Sequence, residues 1–165
     1  MIFVTVGTHE QQFNRLIQEI DRLKEQGEIK EDVVIQTGYS TYVPKYCVHQ
    51  KIFPYDEMQR YIAEATIVIT HGGPSSFIAP LQLKKIPIVV PRQHQFDEHV
   101  NNHQTEFVKE VAKRFGNIIP VYDITKLGET IHSYHEKMQN MKEGTLSNNA
   151  EFNRRLGEIV DGLFV

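Results

Sequence analysis

The segment of the chain best suited to chemistry follows the apolar run Ile67–Thr70. It holds two adjacent glycines, a proline and two serines: His71, Gly72, Gly73, Pro74, Ser75 and Ser76. Adjacent glycines after a buried strand let the backbone come close to a ligand. Proline and serine are typical of a helix start, and a serine hydroxyl can cap it. Because a helix N-terminus presents free N–H groups, the segment predicts a phosphate-binding loop. A tight turn with an ordinary cap is the alternative.

A second polar segment follows the apolar run Ile86–Val90. Its carboxylate, imidazole and amide groups are those with which proteins bind sugar hydroxyls, and Arg92 can neutralise phosphate if its side chain points inward. The candidates are Arg92, Glu98, His99, Asn102 and Gln104. His99 and His103 lie four residues apart with acidic residues nearby, so a metal site is one alternative. A solvated helix start is another.

Further candidates follow two other apolar runs. Gly7 and Thr8 form a predicted turn after the first run, and Gly38 follows the second. His9 and Glu10 are each candidates for a general base, since base catalysis requires only a side chain within hydrogen-bond reach of the attacking hydroxyl. An equally open interpretation is that Glu10 simply lies favourably in a first helical turn.

Short β-branched runs alternate with segments of helical spacing. Strands are predicted at Ile2–Val6, Val33–Thr37, Val48–Phe53, Ile67–Thr70, Ile86–Val90 and Ile118–Tyr122. Helices are predicted from Phe13 to Leu23, Met58 to Ala65, Ser75 to Lys84 and Val100 to Phe115. This alternation predicts an α/β fold, a Rossmann-like open parallel sheet with helices on both faces. Ligands of such sheets bind at the carboxyl ends of the strands, where the polar candidates cluster.

Composition narrows the functional classes. The chain has 165 residues, the size of one domain, and its net charge of -3 argues against broad nucleic-acid binding. A single cysteine, Cys47, excludes an intramolecular disulfide and favours a reducing compartment. The chain lacks the glycine-rich fingerprints of nucleoside-triphosphate hydrolases and dinucleotide dehydrogenases, and it has no Asp-x-Asp pair. We therefore expect no metal and no cofactor.

The chain has no apolar run of the roughly 18 residues that a membrane-spanning helix needs. Its last part, residues 150–165, carries an apolar stripe at helical spacing: Phe152, Leu156, Ile159, Val160, Leu163 and Phe164. This stripe predicts either a final helix packed on its own domain or a helix that docks on a partner. We expect one domain over residues 1–165, with 150–165 as the docking helix.

Three segments, Phe3–Thr8, Val68–Ser76 and Asn102–Gln104, together resemble the C-terminal domain of glycosyltransferase family 28, and the likeness covers nearly the whole chain. It is strongest to the split members of that family. These are the small catalytic subunit of the eukaryotic dolichol-linked N-acetylglucosaminyltransferase and its bacterial counterpart in capsule and exopolysaccharide clusters. The run Pro91–Gln104 is most similar to the bacterial group.

The resemblance implies the C-terminal half of a GT-B fold and the catalytic subunit of an inverting hexosyltransferase. The donor would be a UDP-sugar (galactose, glucose or N-acetylglucosamine). Its diphosphate would face the loops Gly7–Thr8 and His71–Ser76, and its sugar would meet Glu98 and His99. A membrane-anchored partner subunit would bind the acceptor, a polyprenyl-diphosphate-linked sugar. This chain would be cytoplasmic and held at the inner face of the membrane by that partner.

One position departs from the family pattern. Many members carry a glutamate that holds the ribose, eight positions beyond the residue matching His71, and here that position is Ala79. The wider family often takes its base from the acceptor half. An alternative function is therefore a non-catalytic nucleotide-sugar-binding regulatory module. Without its partner, the chain is expected to self-associate through an exposed docking surface.

Overall fold

A computed structural model describes residues 1–141, so the proposed docking helix at 150–165 lies outside the described residues. The strands are β1 (Ile2–Thr5), β2 (Val33–Gln36), β3 (Val48–Gln50), β4 (Ile67–His71), β5 (Ile88–Val90) and β6 (Ile119–Pro120). The helices are α1 (Asn14–Glu25), α2 (Tyr55–Glu64), α3 (Pro74–Gln82), α4 (His103–Phe115), α5 (Leu127–His132) and α6 (Tyr134–Met141). Within this part of the chain, no helix is long and apolar enough to cross a bilayer.

The strands form one parallel sheet in the order β3-β2-β1-β4-β5-β6. β1 lies inside the sheet, where Ile2 is in register with Val33 of β2 and with Ile67 of β4. β6 lies at an edge, as Pro120 predicts, since proline cannot donate to a further strand. The predicted α/β Rossmann-like fold is confirmed.

Alternate residues of the inner strands pack on opposite faces of the sheet. Ile2 and Val4 contribute to a core with α1, α5 and α6, whereas Phe3 of the same strand packs with the residues of α2. α3 and α4 cover the same side further along, through Phe77 and Val108. Burial on both faces explains why β1 is almost wholly apolar.

Several element boundaries differ from the sequence prediction by one to three residues, and two of the differences have a local cause. α4 begins at His103 rather than at Val100, which is exposed. The chain before α4 is occupied by a short 3₁₀ turn that ends at Asp97 in the left-handed conformation, with φ of 55°. β5 begins at Ile88 because the preceding Pro87 has no N–H to donate to the ladder.

The sheet order places β1 beside β4, although the two strands are far apart in sequence. After β1 the chain leads to α1 on one face, and after β4 it leads to α3 on the other. Such a reversal opens a crevice at the carboxyl ends of the two strands, which is where ligands of open α/β sheets bind. The fold thus brings the first and the central polar segments together.

Candidate functional site

A cleft of about 750 Å³ lies at this point of the sheet. Its lining includes residues from all of the predicted polar segments that follow β1, β4 and β5. The sequence-predicted residues that line it are Gly7, Thr8, His9, His71, Ser75, Ser76 and Gln104. The structure thus brings together side chains that are almost 100 positions apart in sequence.

The loop from His71 to Ser76 is held by its own hydrogen bonds. The backbone N–H of Gly73 donates to Nδ1 of His71 at 3.0 Å, and Nε2 of His71 lies 2.6 Å from Oγ of Ser76. The prediction that a serine caps the helix is wrong, because Gly73 is the cap residue and no side chain in the described part of the protein caps α3. Pro74 occupies the first turn as predicted. The Ser76 hydroxyl is therefore committed to His71 rather than to the helix end.

The His71 ring is enclosed by two glycines. A Cβ atom at Gly7 would lie 2.4 Å from Nε2 of His71, and one at Gly73 would lie 2.3 Å from its Cε1. Gly7 also has φ of 75°, a conformation that side chains other than glycine rarely adopt. Both glycines are thus required by the ring that they contact, and the loops after β1 and β4 are packed directly on each other.

Burial, together with the positive charge of Arg92, lowers the pKa of His71 to about 4. The imidazole is therefore neutral at pH 7. A neutral ring in this position acts as a hydrogen-bonding group and does not supply positive charge to the cleft. The polar character of this wall comes from the hydroxyls of Ser75 and Ser76 and from the N-terminal end of α3.

Gln104, in the first turn of α4, joins two loops. Its Oε1 accepts the backbone N–H of Gly72 at 3.0 Å and the backbone N–H of Arg92 at 3.1 Å. Its amide also faces Nδ1 of His71 at 3.5 Å. Gly72 has little room for a side chain, since a Cβ there would lie 3.0 Å from Cβ of Gln104. Gln104 consequently fixes the loop after β4 relative to β5.

Arg92 does not face the cleft. It is fully buried, and its guanidinium lies 4.8 Å from the ring centroid of Phe13. It donates hydrogen bonds of 2.8 to 3.1 Å to the carbonyl oxygens of Val6, Gln11, Gln12 and Glu98. Burial lowers its pKa to about 10, so it stays charged at neutral pH. The expectation that Arg92 meets phosphate does not fit this geometry, because its donors hold the loop after β1.

Glu98 is also fully buried and does not line the cleft. Arg15 of α1 holds both carboxylate oxygens, with distances of 2.8 Å from Nε to Oε1 and 2.9 Å from Nη2 to Oε2. The backbone N–H of Gln93 donates to Oε2 at 2.9 Å. A carboxylate with these partners has little capacity left for sugar hydroxyls, so the expected sugar contact at Glu98 does not fit the structure. We call Arg15, Arg92 and Glu98 the buried junction.

His99 lies beside the cleft and stacks on His9, with ring centroids 4.9 Å apart. Burial lowers the pKa of His99, and the nearby His9 acts in the same direction. Nε2 of His9 is 3.0 Å from Oε1 of Gln11. Glu10 is exposed and makes no hydrogen bond or ion pair with any other residue of the described part. Of the two base candidates, His9 lines the cleft and Glu10 does not.

The remaining predicted residues lie around the cleft. Gly38 lines a neighbouring cavity of about 480 Å³. It has φ of 54°, and a Cβ there would lie 2.6 Å from the carbonyl oxygen of Gly7. Asn102 is exposed and accepts the backbone N–H of His94 at 3.0 Å, which shapes the loop before α4. These two residues support the loops and do not line the main cleft.

Sequence reasoning missed one wall and the floor of the cleft. The wall comes from the segment after β3 and from α2, with a mostly apolar lining: Ile52, Phe53, Tyr55, Met58, Gln59 and Ile62. Ala79 of α3 also lines the cleft. On the floor, Oγ1 of Thr5 accepts hydrogen bonds from the side chain of Gln36 at 3.1 Å and from the N–H of Gly7 at 3.2 Å. Gln36 ends an otherwise apolar strand, and that was the available signal.

The structure gives no support to the metal alternative. Residues 1–141 contain no group of three or more histidine, cysteine, aspartate or glutamate residues that could hold a metal ion. His103 is exposed, while His99 is turned towards His9. The helix turn that would align these two histidines is missing, because α4 begins only at His103.

The sequence model of the glycosyltransferase family 28 C-terminal domain matches residues 1–159. The chain therefore belongs to this family, and the predicted resemblance is confirmed at that level. A sequence comparison with curated proteins gave no match.

The fold is similar to part of several solved glycosyltransferases of the GT-B kind. SnogD from Streptomyces nogalater matches with a TM-score of 0.54 and 16% identity, covering 87% of this chain and 40% of SnogD. The glycotransferase of kitacinnamycin gives a TM-score of 0.58 and 14% identity, with 93% and 42% covered. CalG4, the calicheamicin glycosyltransferase, gives a TM-score of 0.54 and 14% identity, covering 96% of this chain and 43% of CalG4. The chain spans about two fifths of the length of these proteins, and the likeness concerns the fold.

Proposed function

We propose that this chain is the donor-binding, catalytic subunit of an inverting two-component glycosyltransferase. The donor is a UDP-sugar, and the acceptor is a sugar on a polyprenyl diphosphate that a membrane-anchored partner subunit binds. The reaction transfers a hexose during capsule or exopolysaccharide biosynthesis, at the cytoplasmic face of the membrane. The observation that carries the proposal is the cleft at the ends of β1 and β4, into which the start of α3 opens.

The polar half of the cleft supports a diphosphate. The first turn of a helix has N–H groups without partners inside the helix, and its dipole favours negative charge. In α3, Pro74 has no N–H, and the N–H of Ser76 donates to the carbonyl oxygen of Gly73 at 3.1 Å, so the N–H of Ser75 is the one that a phosphate can use. Ser75 and Ser76 stand in the first turn of α3 and line the cleft, together with Thr8 from the facing loop. Hydroxyls and N–H groups of this kind bind phosphate oxygens without a metal ion.

The other half supports a nucleoside. Phe53, Met58 and Ile62 offer an apolar surface on which a flat base can pack. Gln59 adds an amide to this wall. Because the position of the ribose-binding glutamate is Ala79, uridine must be held by other groups of the cleft.

The resemblance of Pro91–Gln104 to the split bacterial members of the family supports the separate acceptor subunit. His9 lines the cleft and is our candidate for a base within this chain, with Glu10 beside it in the same loop. The alternative of a non-catalytic donor-binding module requires the same cleft and no base at all.

The first test is calorimetric titration of the full chain with UDP and with UDP-glucose, UDP-galactose and UDP-N-acetylglucosamine. We expect UDP and at least one UDP-sugar to bind, with the same affinity in the presence of a chelator. Replacing Ser76 by alanine should weaken UDP binding about tenfold, as expected for a hydrogen bond to a charged group. Ser133→Ala is the matched control, because that hydroxyl donates to the carbonyl of Glu129, away from the cleft.

Absence of binding for all four ligands would contradict the proposal. Binding without transfer, in the presence of the cognate partner and acceptor, would favour the regulatory module. Binding that disappears with the chelator would restore the metal alternative.

A further inference from the structure

The hydrogen bonds around His71 define where its proton lies. The backbone N–H of Gly73 donates to Nδ1 at 3.0 Å, and an N–H group of the backbone can only donate. Nδ1 must therefore present a lone pair. The amide nitrogen of Gln104, a second donor, faces the same atom at 3.5 Å. In a neutral imidazole the proton is then on Nε2.

Among the described residues, that proton has one acceptor within reach. Oγ of Ser76 lies 2.6 Å from Nε2, so Nε2–H donates and the serine oxygen accepts. The hydroxyl hydrogen of Ser76 cannot point back to His71. Among residues 1–141 this hydroxyl makes no second hydrogen bond. Since Ser76 lines the cleft, its hydrogen is available to a ligand there.

Packing prevents the ring from turning to another arrangement. A Cβ at Gly7 or at Gly73 would already lie within 2.4 Å of ring atoms, so the backbone of both loops closes on the ring. His71 is buried, and its pKa is lowered to about 4, which keeps the second proton off the ring at neutral pH. The ring is thus fixed in position and in charge.

We propose that His71 is a positioning residue, which holds the Ser76 hydroxyl so that it donates its hydrogen to an anionic oxygen bound in the cleft. This inference rests on the proposed function, which makes that oxygen part of the UDP diphosphate. His71 then contributes to binding through Ser76 and not by a contact of its own. A neutral histidine placed in this way orients the Ser76 hydroxyl as a donor and adds no charge to the site.

A double-mutant cycle on the full chain separates action through Ser76 from direct contact. In Asn, the amide ends at the same bond distance from Cα as Nδ1, so His71→Asn keeps an acceptor for the Gly73 N–H and loses the group that reaches Ser76. We expect Ser76→Ala and His71→Asn each to weaken UDP binding about tenfold. The double variant should bind within about twofold of Ser76→Ala alone.

Two further variants sharpen the cycle. In Gln, the amide ends at the same bond distance as Nε2, so His71→Gln should retain most of the affinity by donating to Ser76. Ser75→Ala is the matched control: Ser75 lines the cleft but makes no hydrogen bond to His71. In the double variant with His71→Asn, the factors by which the two substitutions weaken UDP binding should multiply. If the losses of UDP affinity in Ser76→Ala and His71→Asn also multiply in the double variant, the proposal is overturned. Unchanged UDP affinity in His71→Asn would overturn it as well.

The tautomer is measurable without any ligand. In ¹⁵N-histidine-labelled wild-type chain at pH 7, the side-chain nitrogen resonances of His71 should show a protonated Nε2 and an unprotonated Nδ1. The opposite tautomer, or an imidazolium, would overturn the inference even if UDP binds. If UDP does not bind to the wild-type chain, the proposed function fails and so does the diphosphate as ligand. The nitrogen spectrum then still decides the arrangement of the His71 and Ser76 pair.

Discussion

Arg92 and Glu98 of the buried junction follow β5, and the His71–Ser76 loop follows the neighbouring β4, yet the polar side chains of the two segments have opposite fates. In the junction, Arg92 and Glu98 are charged, fully buried and supplied with partners inside the chain. In the loop, Ser75 and Ser76 are neutral and line an open cleft. Buried charge must be paired because its desolvation is costly, so charged residues beside a site are readily used as internal supports. The groups with spare hydrogen-bonding capacity are the neutral ones.

The largest effect should follow from breaking the junction at its centre. Replacing Arg92 by alanine removes hydrogen bonds to four carbonyl oxygens and leaves Glu98 beside fewer positive charges. We expect a loss of about 4 kcal/mol or more in the free energy of unfolding, measured by urea denaturation. Arg114→Ala, at an exposed arginine, is the control and should change stability by less than about 0.5 kcal/mol. A loss below about 1 kcal/mol for Arg92→Ala would contradict a supporting role.

Removing the carboxylate should have the next largest effect. Glu98→Ala leaves the largely buried Arg15 without its carboxylate partner and the N–H of Gln93 without its acceptor, at an expected cost of about 3 kcal/mol. Because Glu98 does not line the cleft, affinities for UDP and for a UDP-sugar should fall by the same factor. Calorimetry with both ligands checks this. A loss confined to the UDP-sugar would return Glu98 to the sugar site, and the comparison between junction and loop would fail.

On the cleft side, lowering the pH should reduce the free energy of unfolding through protonation of His71. Its pKa is about 4 when folded, against an ordinary value of 6.5, so the unfolded chain binds the proton more readily. The stability associated with the neutral ring is complete above pH 6.5. It is lost as the pH falls towards 4, by up to roughly 3 kcal/mol. The measurement is urea denaturation between pH 7 and 4. His71→Gln should remove this part of the slope, and an unchanged slope would show that the ring is not responsible.

The smallest expected effect on stability comes from replacing a glycine by alanine, at Gly73 beside the cleft or at Gly116 away from it. Gly73→Ala forces a Cβ against Cε1 of His71, so we expect about 1–2 kcal/mol of destabilisation and an approximately tenfold weaker UDP affinity. Gly116→Ala lies at a helix end with φ of 58°, and no atom of residues 1–141 lies within 4 Å of the new Cβ. It should cost about 1 kcal/mol and leave UDP binding unchanged. Equal UDP affinities in the two variants would show that the position of the His71 ring does not affect ligand binding in the cleft.

Local pattern was sufficient to predict the fold and the loop after β4. Apolar runs with β-branched residues marked the strands, and the pair Gly72-Gly73 with Pro74 marked a loop that opens a helix. The direction of Arg92 and Glu98 was not predictable, because a polar side chain after a buried strand can turn to solvent or to the interior. Arg15, the partner of Glu98, lies 83 positions away on a helix, so no local spacing in the sequence connects the two residues.

The apolar wall was missed for a different reason. Met58 and Ile62 belong to the buried-looking stripe of an amphipathic helix, and such a stripe has the same spacing whether it faces a core or a cleft. Ser75 and Ser76 were correctly expected near the start of α3, but Gly73 took the cap position, which freed the Ser76 hydroxyl for His71. The roles of these residues depend on neighbours that only the folded chain supplies.

The position of β1 inside the sheet has a consequence for how the chain acquires its structure. Although β1 opens the sequence, one of its edges pairs with β2 and the other with β4, which ends at His71. During synthesis the first strand therefore waits for about 70 residues before both edges are covered. Until then it exposes an apolar, unpaired edge of the kind that promotes aggregation. Chains interrupted before β4 should accordingly be insoluble, whereas the same residues in the complete sheet are the most protected from hydrogen exchange.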